Sequence, residues 1–435
     1  MGINYGSLPC AFYRDFERHK TLEPSNAIGG PITFSRASQG TYIGSDGYLK
    51  TASANEPRFG YEYDSNNNLV YRGLLIEEGT RNNHILYSED FTQSVWTKTN
   101  SSVSSTSVVN PEGVSSSQKV SLSSAGGGIS QTYTTSYTNG NTSFIRCFHA
   151  SIMVKPNECG YLAIQISNGT DSMVCYFDVT NGATGSNGAN ANNLVFLYKH
   201  IVNMGGGWYR CVFAVRDDNL TNKTYTFSYL PTTSNNSLTI NASGNGMYCW
   251  GAMVHYEVNT SINYNQNAKS YTKTTYGIGY QNADSCYVGG ASYTSRFCGT
   301  KPNTELTLFG QFSMPSNLKT GIVQRYMGIG VSSITGPYFR QSVSNCNILF
   351  RSAIGYDYGS FPILDDNNKG IVAYGAGLGS KGCLNGSYVA NSNPAAQSIT
   401  SSIVTINLYG DAYYKKIFCV PSILRDRHIQ ELTKL

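Results

Sequence analysis

The chain has 435 residues, and only 13% of them are charged, about half the usual share. The length exceeds that of one compact β domain, so we expect two or three domains, each with its own core. The aromatic share of 12%, with 33 tyrosines, excludes a disordered chain, and the small net charge of +5 is spread singly along the sequence. A scattered charge of this size argues against a nucleic-acid-binding surface.

Residues 1–30 form a short segment before the first run of strands. It lacks a basic region followed by an apolar one, so no signal peptide is expected. Phe12, Tyr13 and Phe16 lie in this segment, which is too short to bury them by itself. We therefore predict that these three side chains are exposed and anchor the chain in a groove of a neighbouring protein.

Residues 31–90 contain few long strands and many turns, ending in the apolar stretch GLLIEE at 73–78. Arg36 and Arg58 recur there beside aromatic and acidic neighbours. We interpret them as structural residues that pair with Glu77 or Glu78 and hold this turn-rich module together.

Residues 91–285 contain the densest strand pattern, in which apolar runs of four to eight residues are separated by Gly, Asn, Ser and Asp. This pattern is typical of a β-sandwich or jelly roll. Gly205–Gly207 precede Trp208 and predict a tight turn with positive φ at the head of a core strand. Trp208 and Trp250 are predicted to be large buried core residues.

Residues 286–435 carry a second strand ladder with an Asn-Gly hairpin within Cys383–Gly386. The last stretch, 422–435, has the apolar spacing of one or two turns of amphipathic helix. No apolar run along the chain exceeds about five residues, so no membrane span is expected. The fold class predicted for the whole chain is all-β.

The sequence of residues 31–96 resembles a module of bacteriophage head and tail fibre proteins. The matching phrases are TFSRAS (33–38), PRF (57–59), GLLIE (73–77) and the RN, YS, F and W that follow up to Trp96. Residues 91–285 are similar to the jelly-roll, carbohydrate-binding-like domain of that family. The phrases that carry this second similarity are FDVTNG (177–182), IVNMGGGWYRC (201–211), GMYCWGAMVHYE (246–257) and KSYTKT (269–274), followed by AD at 283–284.

The segment 286–435 resembles, more loosely, a concanavalin or laminin-G type sandwich. The resemblance implies four parts: a virion-anchoring segment (1–30), a fibre module (31–90), a jelly roll (91–285) and a lectin-like sandwich with a short helix (286–435). It also implies a homotrimer and leaves open a structural calcium ion without assigned ligands. Tail fibres often begin with a dedicated anchoring domain. Because only about 30 residues precede the TFSRAS phrase, we expect a position on the capsid head rather than on the tail.

Catalytic and metal-binding patterns are not found. The 11 cysteines form no C-x-x-C pair, and several lie in apolar strands, where a thiol acts as a small hydrophobe. We therefore predict reduced core cysteines and assembly in a bacterial cytoplasm. The adjacent carboxylates Asp217 and Asp218, like Glu77/Glu78 and Asp365/Asp366, should point to opposite faces of a strand. No enzymatic activity and no cofactor are expected.

The sequence thus predicts a surface-exposed head or tail fibre or spike subunit of a phage virion. Its partners would be copies of itself, other virion proteins and host or environmental glycans, but neither nucleic acid nor membrane. Aromatic faces together with amide and hydroxyl donors suit sugars, although Tyr is also a good strand former, so no glycan-binding residue is assigned. Two alternatives remain: a purely architectural capsid decoration protein and a glycan-cleaving tailspike.

Overall fold

A computed structural model describes the chain in segments. The described residues are 12–23, 29–77, 79–135, 145–188, 193–218, 223–259, 270–288, 306–313, 324–329, 338–341, 346–351, 356–361, 368–375, 379–385, 387–390, 406–408, 412–420 and 426–434.

Short runs rich in aromatic and β-branched residues form strands throughout these segments. The N-terminal strands are β1 (Phe12–Asp15), β2 (Ile32–Ser35), β3 (Gly40–Ile43), β4 (Leu49–Ala52), β5 (Arg58–Tyr63), β6 (Leu69–Ile76) and β7 (Arg81–Asn83). The middle strands are β8 (Thr97–Thr99), β9 (Ser101–Ser105), β10 (Gln118–Leu122), β11 (Gly128–Thr134), β12 (Ile145–Pro156), β13 (Tyr161–Ser167), β14 (Ser172–Asp178), β15 (Ala183–Asn187), β16 (Leu194–Gly205), β17 (Trp208–Asp217), β18 (Thr224–Thr232) and β19 (Gly246–Asn259).

The remaining elements follow the sandwich in the sequence. They are β20 (Gly279–Gln281), β21 (Ser285–Val288), β22 (Leu306–Ser313), β23 (Gln324–Ile329), β24 (Tyr338–Gln341), β25 (Cys346–Arg351), β26 (Tyr356–Phe361), β27 (Asn368–Gly375), β28 (Gly379–Leu384), β29 (Ser387–Ala390), β30 (Ile406–Leu408), β31 (Ala412–Val420) and the helix α1 (Asp426–Thr433). Within the described residues the protein is all-β apart from this terminal helix, as predicted.

The middle strands form a sandwich of two six-stranded antiparallel sheets. One has the order β16-β17-β12-β19-β10-β9 and the other β15-β14-β13-β18-β11-β8. Alternate side chains of each strand point into the space between the sheets, so Phe148 on β12, Phe213 on β17 and Phe227 on β18 are fully buried in one core. Trp96, at the entrance to the sandwich, also lies in this core.

The second large sheet combines the two ends of the chain. Its order is β29-β28-β27-β22-β31-β6-β5-β3-β4, with β1 also paired to β31. β6 can pass close to β31 because Gly73 has a φ of 118°, and a Cβ atom there would lie 2.2 Å from the backbone oxygen of Tyr414. A residue with a side chain could not occupy that position without moving a strand.

Two smaller arrangements also join distant segments. A seven-stranded sheet has the order β2-β21-β30-β23-β24-β25-β26, and β20 pairs with β7. The ranges 31–90 and 286–435, predicted as separate domains, therefore share sheets. Hydrogen bonding between strands, which the sequence pattern does not report, places the two segments in one structure.

Local predictions near the termini of strands hold. Gly205, Gly206 and Gly207 all have positive φ, between 59° and 81°, which confirms the tight turn before Trp208. β28 and β29 form a hairpin in which Leu384 pairs with Ser387, and Asn385 has a φ of 50°, as an Asn-Gly turn requires.

The terminal helix α1 buries its apolar face. Ile429 and Leu432 are 0% and 1% exposed, so the amphipathic spacing predicted for the end of the chain is confirmed where the structure describes it. Within the described segments no helix is long and apolar enough to cross a membrane.

Candidate binding cleft

A buried network of charges lies where the N-terminal strands meet residues 270–284. Arg58 donates to Glu77 at 2.5 Å and to Asp284 at 2.6 Å, and Arg36 donates to Asp284 at 3.2 Å. The predicted pairing of Arg58 with Glu77 is therefore confirmed, whereas Arg36 pairs with Asp284, which sequence reasoning did not assign. Glu78 lies outside the described residues.

In this network, called here the charge hub (Arg36, Arg58, Glu77 and Asp284), each carboxylate already accepts several hydrogen bonds from the chain. Gln281 donates to Glu77 at 2.7 Å, and the Ser270 hydroxyl donates to the same carboxylate. Burial by itself would raise the pKa of Glu77, but the guanidinium groups of Arg58 and Arg81 outweigh it and hold that pKa well below its usual range. The hub is a structural joint between segments about 200 residues apart in sequence.

The two tryptophans singled out in the sequence are buried in a different layer from the one expected. Trp208 and Trp250 are each 2% exposed, but they lie on the outer face of the sandwich rather than between its sheets. There they pack with Leu49 of β4 and with Tyr271, and the Trp208 indole donates to the backbone oxygen of Val109 at 2.8 Å. Trp208 and Trp250 therefore join the sandwich to the N-terminal strands, while Trp96 fills the sandwich core.

The predicted exposure of the N-terminal aromatic residues is wrong. Phe12 and Phe16 are both 0% exposed, because β1 pairs with β31 and places Phe12 opposite Cys419. Tyr13 is partly buried on the same strand. The segment hides its aromatic side chains within its own chain, so they do not offer an apolar anchor to a neighbour.

Among the described residues, the adjacent carboxylates singled out in the sequence do not form a shared site, although His149 and His255 lie 3.2 and 3.7 Å from Glu257. Asp217 is fully buried and Asp218 is exposed, which confirms that these neighbours point to opposite faces. His149 lies 3.2 Å from Glu257 and 5.5 Å, ring to ring, from His255. In the part of the chain that the structure describes, no three His, Cys, Asp or Glu side chains are arranged to hold a metal ion. Asp365 and Asp366 lie outside that part.

An open cleft of about 840 Å³ lies beside the N-terminal strands. This volume falls in the range of about 300–1,000 Å³ that is usual for small-molecule sites. The cleft is bordered by the loop after β1, by the β3–β4 hairpin and by β5. The residues that line it are Lys20, Thr21, Leu22, Glu23, Tyr42, Gly44, Ser45, Asp46, Lys50, Thr51, Glu56, Pro57, Phe59 and Tyr61.

Aromatic side chains form one wall of the cleft. Tyr42 stands on β3 and Phe59 and Tyr61 stand on β5, and all three are partly buried. The register shifts between Gly60 and Tyr61, and such a bulge re-aims the side chains that follow it. Burial, followed by the nearby carboxylate of Glu56, raises the pKa of Tyr42, so its hydroxyl stays protonated and can donate at neutral pH.

The β3–β4 hairpin that forms the opposite edge is held together by contacts of Asp46. Asp46 binds Lys50 at 2.6 Å and accepts a hydrogen bond from the backbone nitrogen of Tyr48 at 3.2 Å. Gly47 has a φ of 79°, and a Cβ atom there would lie 2.2 Å from the Tyr63 hydroxyl. The positive φ favours glycine at this turn, and the Asp46 contacts bridge the hairpin on the edge of the cleft.

Lys20 closes the cleft at its other end. Its amine lies 4.9 Å from the centre of the Tyr61 ring and 5.0 Å from that of Tyr71, and it contacts the Tyr61 hydroxyl. Glu23, on the same loop, is held by Arg14 at 2.8 Å. The amine therefore caps the hydroxyl end of Tyr61, and the Tyr71 ring packs against Tyr61 with 5.0 Å between the ring centres, which leaves Tyr42 as the more accessible tyrosine of the wall.

Sequence reasoning did not identify this cleft. Its lining comes from four short segments between residues 20 and 61, and the aromatic residues in them are also what a strand pattern requires. The one local signal is the phrase GSDGY at 44–48, whose glycines and aspartate mark the hairpin.

Comparison with known proteins does not assign the chain to a family. No family model matches the sequence, and no curated protein matches it. A solved structure of the mouse laminin alpha1 chain, domains LG4-5, is similar over 68% of this chain and 85% of that chain, at 8% identity and a TM-score of 0.20. The all-β assignment therefore depends on the strands themselves.

Proposed function

We propose that the chain is a structural protein of a bacteriophage particle, a surface-exposed head or tail fibre or spike subunit that attaches to host or environmental glycans. The observation that carries the attachment function is the open cleft with its wall of Tyr42, Phe59 and Tyr61. Sugars bind to such surfaces through the apolar faces of their rings and through hydrogen bonds to polar side chains.

The charge hub supports the resemblance on which the phage assignment depends. Arg36 comes from TFSRAS, Arg58 from PRF, Glu77 from GLLIE and Asp284 from the AD that follows the jelly-roll phrases. These four residues meet in one buried network. If the matching phrases belong to one structural module, their charged residues should be buried next to one another, because a buried charge without its partner is strongly destabilising.

In this proposal the chain lies on the virion surface, on the head in preference to the tail, after assembly in the cytoplasm of the host. Its partners would be copies of itself, as a homotrimer, and neighbouring capsid or tail proteins. Sedimentation of the purified protein at micromolar concentration tests the trimer. A monomer at that concentration would contradict it.

Two measurements test the proposed function. Antibody labelling of intact particles should place the chain on the particle surface, and a glycan array should show saturable binding of the purified protein without release of reducing sugar. Absence from the particle would overturn the virion assignment. Surface labelling without glycan binding would favour an architectural decoration protein, and sugar release would favour a glycan-cleaving spike.

A further inference from the structure

We infer that the cleft beside β3 and β5 is the glycan-binding site and that it takes a neutral oligosaccharide. This inference rests on the proposed function, because it identifies the site and the chemical class of a ligand that the proposal leaves general. The reasons lie in the shape of the cleft, in its charges and in the tyrosine that remains accessible.

The shape of the cleft suits a short chain of sugar rings. It is open along one side, and about 840 Å³ is accessible within it. Tyr42 offers an aromatic face, and Ser45 and Thr51 on the exposed hairpin offer hydroxyl groups. An aromatic platform with hydroxyl groups around it can bind the apolar face of a sugar and its hydroxyls together.

The charges of the cleft argue for an uncharged ligand. Lys50 is neutralised by Asp46 and Glu23 by Arg14. Of the lining charges, this leaves one cation, Lys20, and one anion, Glu56. A sialylated or phosphorylated sugar would meet no excess of positive charge here, whereas a neutral sugar has no charge to desolvate.

Tyr42 is the residue on which the inference can be tested most directly. Tyr71 already packs against Tyr61 and Lys20 caps the Tyr61 hydroxyl, so Tyr42 should provide the main stacking surface. Tyr42→Ala should weaken binding by about two- to tenfold, a loss on the scale of one aromatic contact, while Tyr42→Phe should retain most of the binding. Tyr276→Ala is the matched control, because Tyr276 is 85% exposed and does not line the cleft.

A second variant keeps the test valid if Tyr42→Ala disturbs the fold. Thr51 is exposed on the cleft edge, and Thr51→Cys can be labelled with a bulky maleimide after folding. The unlabelled variant should bind like the natural protein, and labelling should abolish binding. The natural protein treated with the same maleimide is one control, and labelled Ser105→Cys, on an exposed position of the distant strand β9, is the other.

The experiment uses the full chain, with hits from a glycan array re-measured by calorimetry at low and high salt. The expected result is binding of neutral glycans that is insensitive to salt, is weakened in Tyr42→Ala and is abolished in labelled Thr51→Cys. Unchanged binding in both variants would overturn the cleft as the site but leave the proposed function standing. Selective, salt-sensitive binding of acidic glycans would overturn the neutral class, and an unaltered chain that binds no glycan would refute the proposed function itself.

Discussion

The sandwich of residues 97–259 and the ten-stranded sheet are built in opposite ways. Every strand of the sandwich comes from one continuous stretch of chain, whereas the ten-stranded sheet combines β1 and β3–β6 with strands that follow residue 305. The sandwich core is apolar, and the charge hub joins the segments outside it. The comparison teaches that a contiguous region can be held mainly by one apolar core, with local polar contacts such as those of Asp217 with Asn168 and Tyr225, while the joint between distant segments here uses charges from both segments.

The largest effect should come from deleting residues 1–25. This removes β1 and the fully buried Phe12 and Phe16, and loss of a core phenylalanine typically costs about 3–5 kcal/mol. We expect hydrogen exchange to accelerate in β31 and β6 while the sandwich stays protected. Arg18→Ala, at a side chain 82% exposed, is the control. An equal loss of hydrogen-exchange protection in the sandwich and in the ten-stranded sheet would mean that the two regions unfold together.

Breaking the charge hub should come next. Arg58→Met leaves Glu77 and Asp284 buried without their main partner, and such changes typically cost about 3–5 kcal/mol. Lys50→Met breaks the exposed Lys50–Asp46 pair and should cost at most about 1 kcal/mol. Urea denaturation of both variants measures the difference. Similar midpoints for the two variants would show that the hub adds no stability.

Substitutions of the tryptophans distinguish the core between the two sheets of the sandwich from the layer on its outer face. Trp96→Ala should destabilise the sandwich core by about 3–5 kcal/mol. Trp208→Ala or Trp250→Ala should cost a comparable amount, but should loosen the contact with Leu49 and Tyr271 before the sandwich opens. Limited proteolysis within residues 40–77 distinguishes the two outcomes. A loss below about 1 kcal/mol for Trp208 or Trp250 would show that it is exposed in solution.

Acidification should weaken both regions. Burial lowers the pKa of His84 and of His200 to about 4 from an ordinary value of 6.5. The unfolded chain therefore binds protons near pH 6.5 while the folded chain does not, so stability should fall as the pH drops from about 6.5 to 4. Glu77, whose pKa is depressed by Arg58 and Arg81 against the effect of burial, adds a further loss below its ordinary value.

His200→Gln tests this pH dependence in the sandwich. The variant should lose less stability than the natural protein between pH 7 and pH 4, while the two should show the same dependence above pH 7. Thermal midpoints measured across this range provide the comparison. An unchanged slope in the variant would mean that His200 is accessible to water in the folded protein.

The smallest effect concerns the cysteines. The eight that the structure describes are all buried and unbridged, and burial raises the pKa of Cys159 to about 11 and of Cys147 and Cys175 to about 12. These thiols should not react with alkylating reagents at pH 8 until the protein unfolds. Non-reducing peptide mapping should find no disulfide. Two or more bridged pairs would contradict this.

The sequence by itself determined the features that are local. Alternation of apolar residues predicts strands because side chains of a strand point alternately to its two faces, and the glycines before Trp208 and the Asn-Gly pair predict turns because they tolerate positive φ. The pairing of Arg58 with Glu77 could also be predicted from the sequence, since an arginine that is buried among apolar residues needs a carboxylate partner.

Only the tertiary structure decided how distant segments combine. Whether Phe12 and Phe16 are exposed depends on β31, about 400 residues away, and whether Trp208 lies inside the sandwich or outside it depends on which face β4 covers. The cleft likewise exists only where the loop after β1 approaches β5. Periodicity shows which face of a strand is apolar, but not which partner buries that face, because any apolar surface of suitable shape can do so.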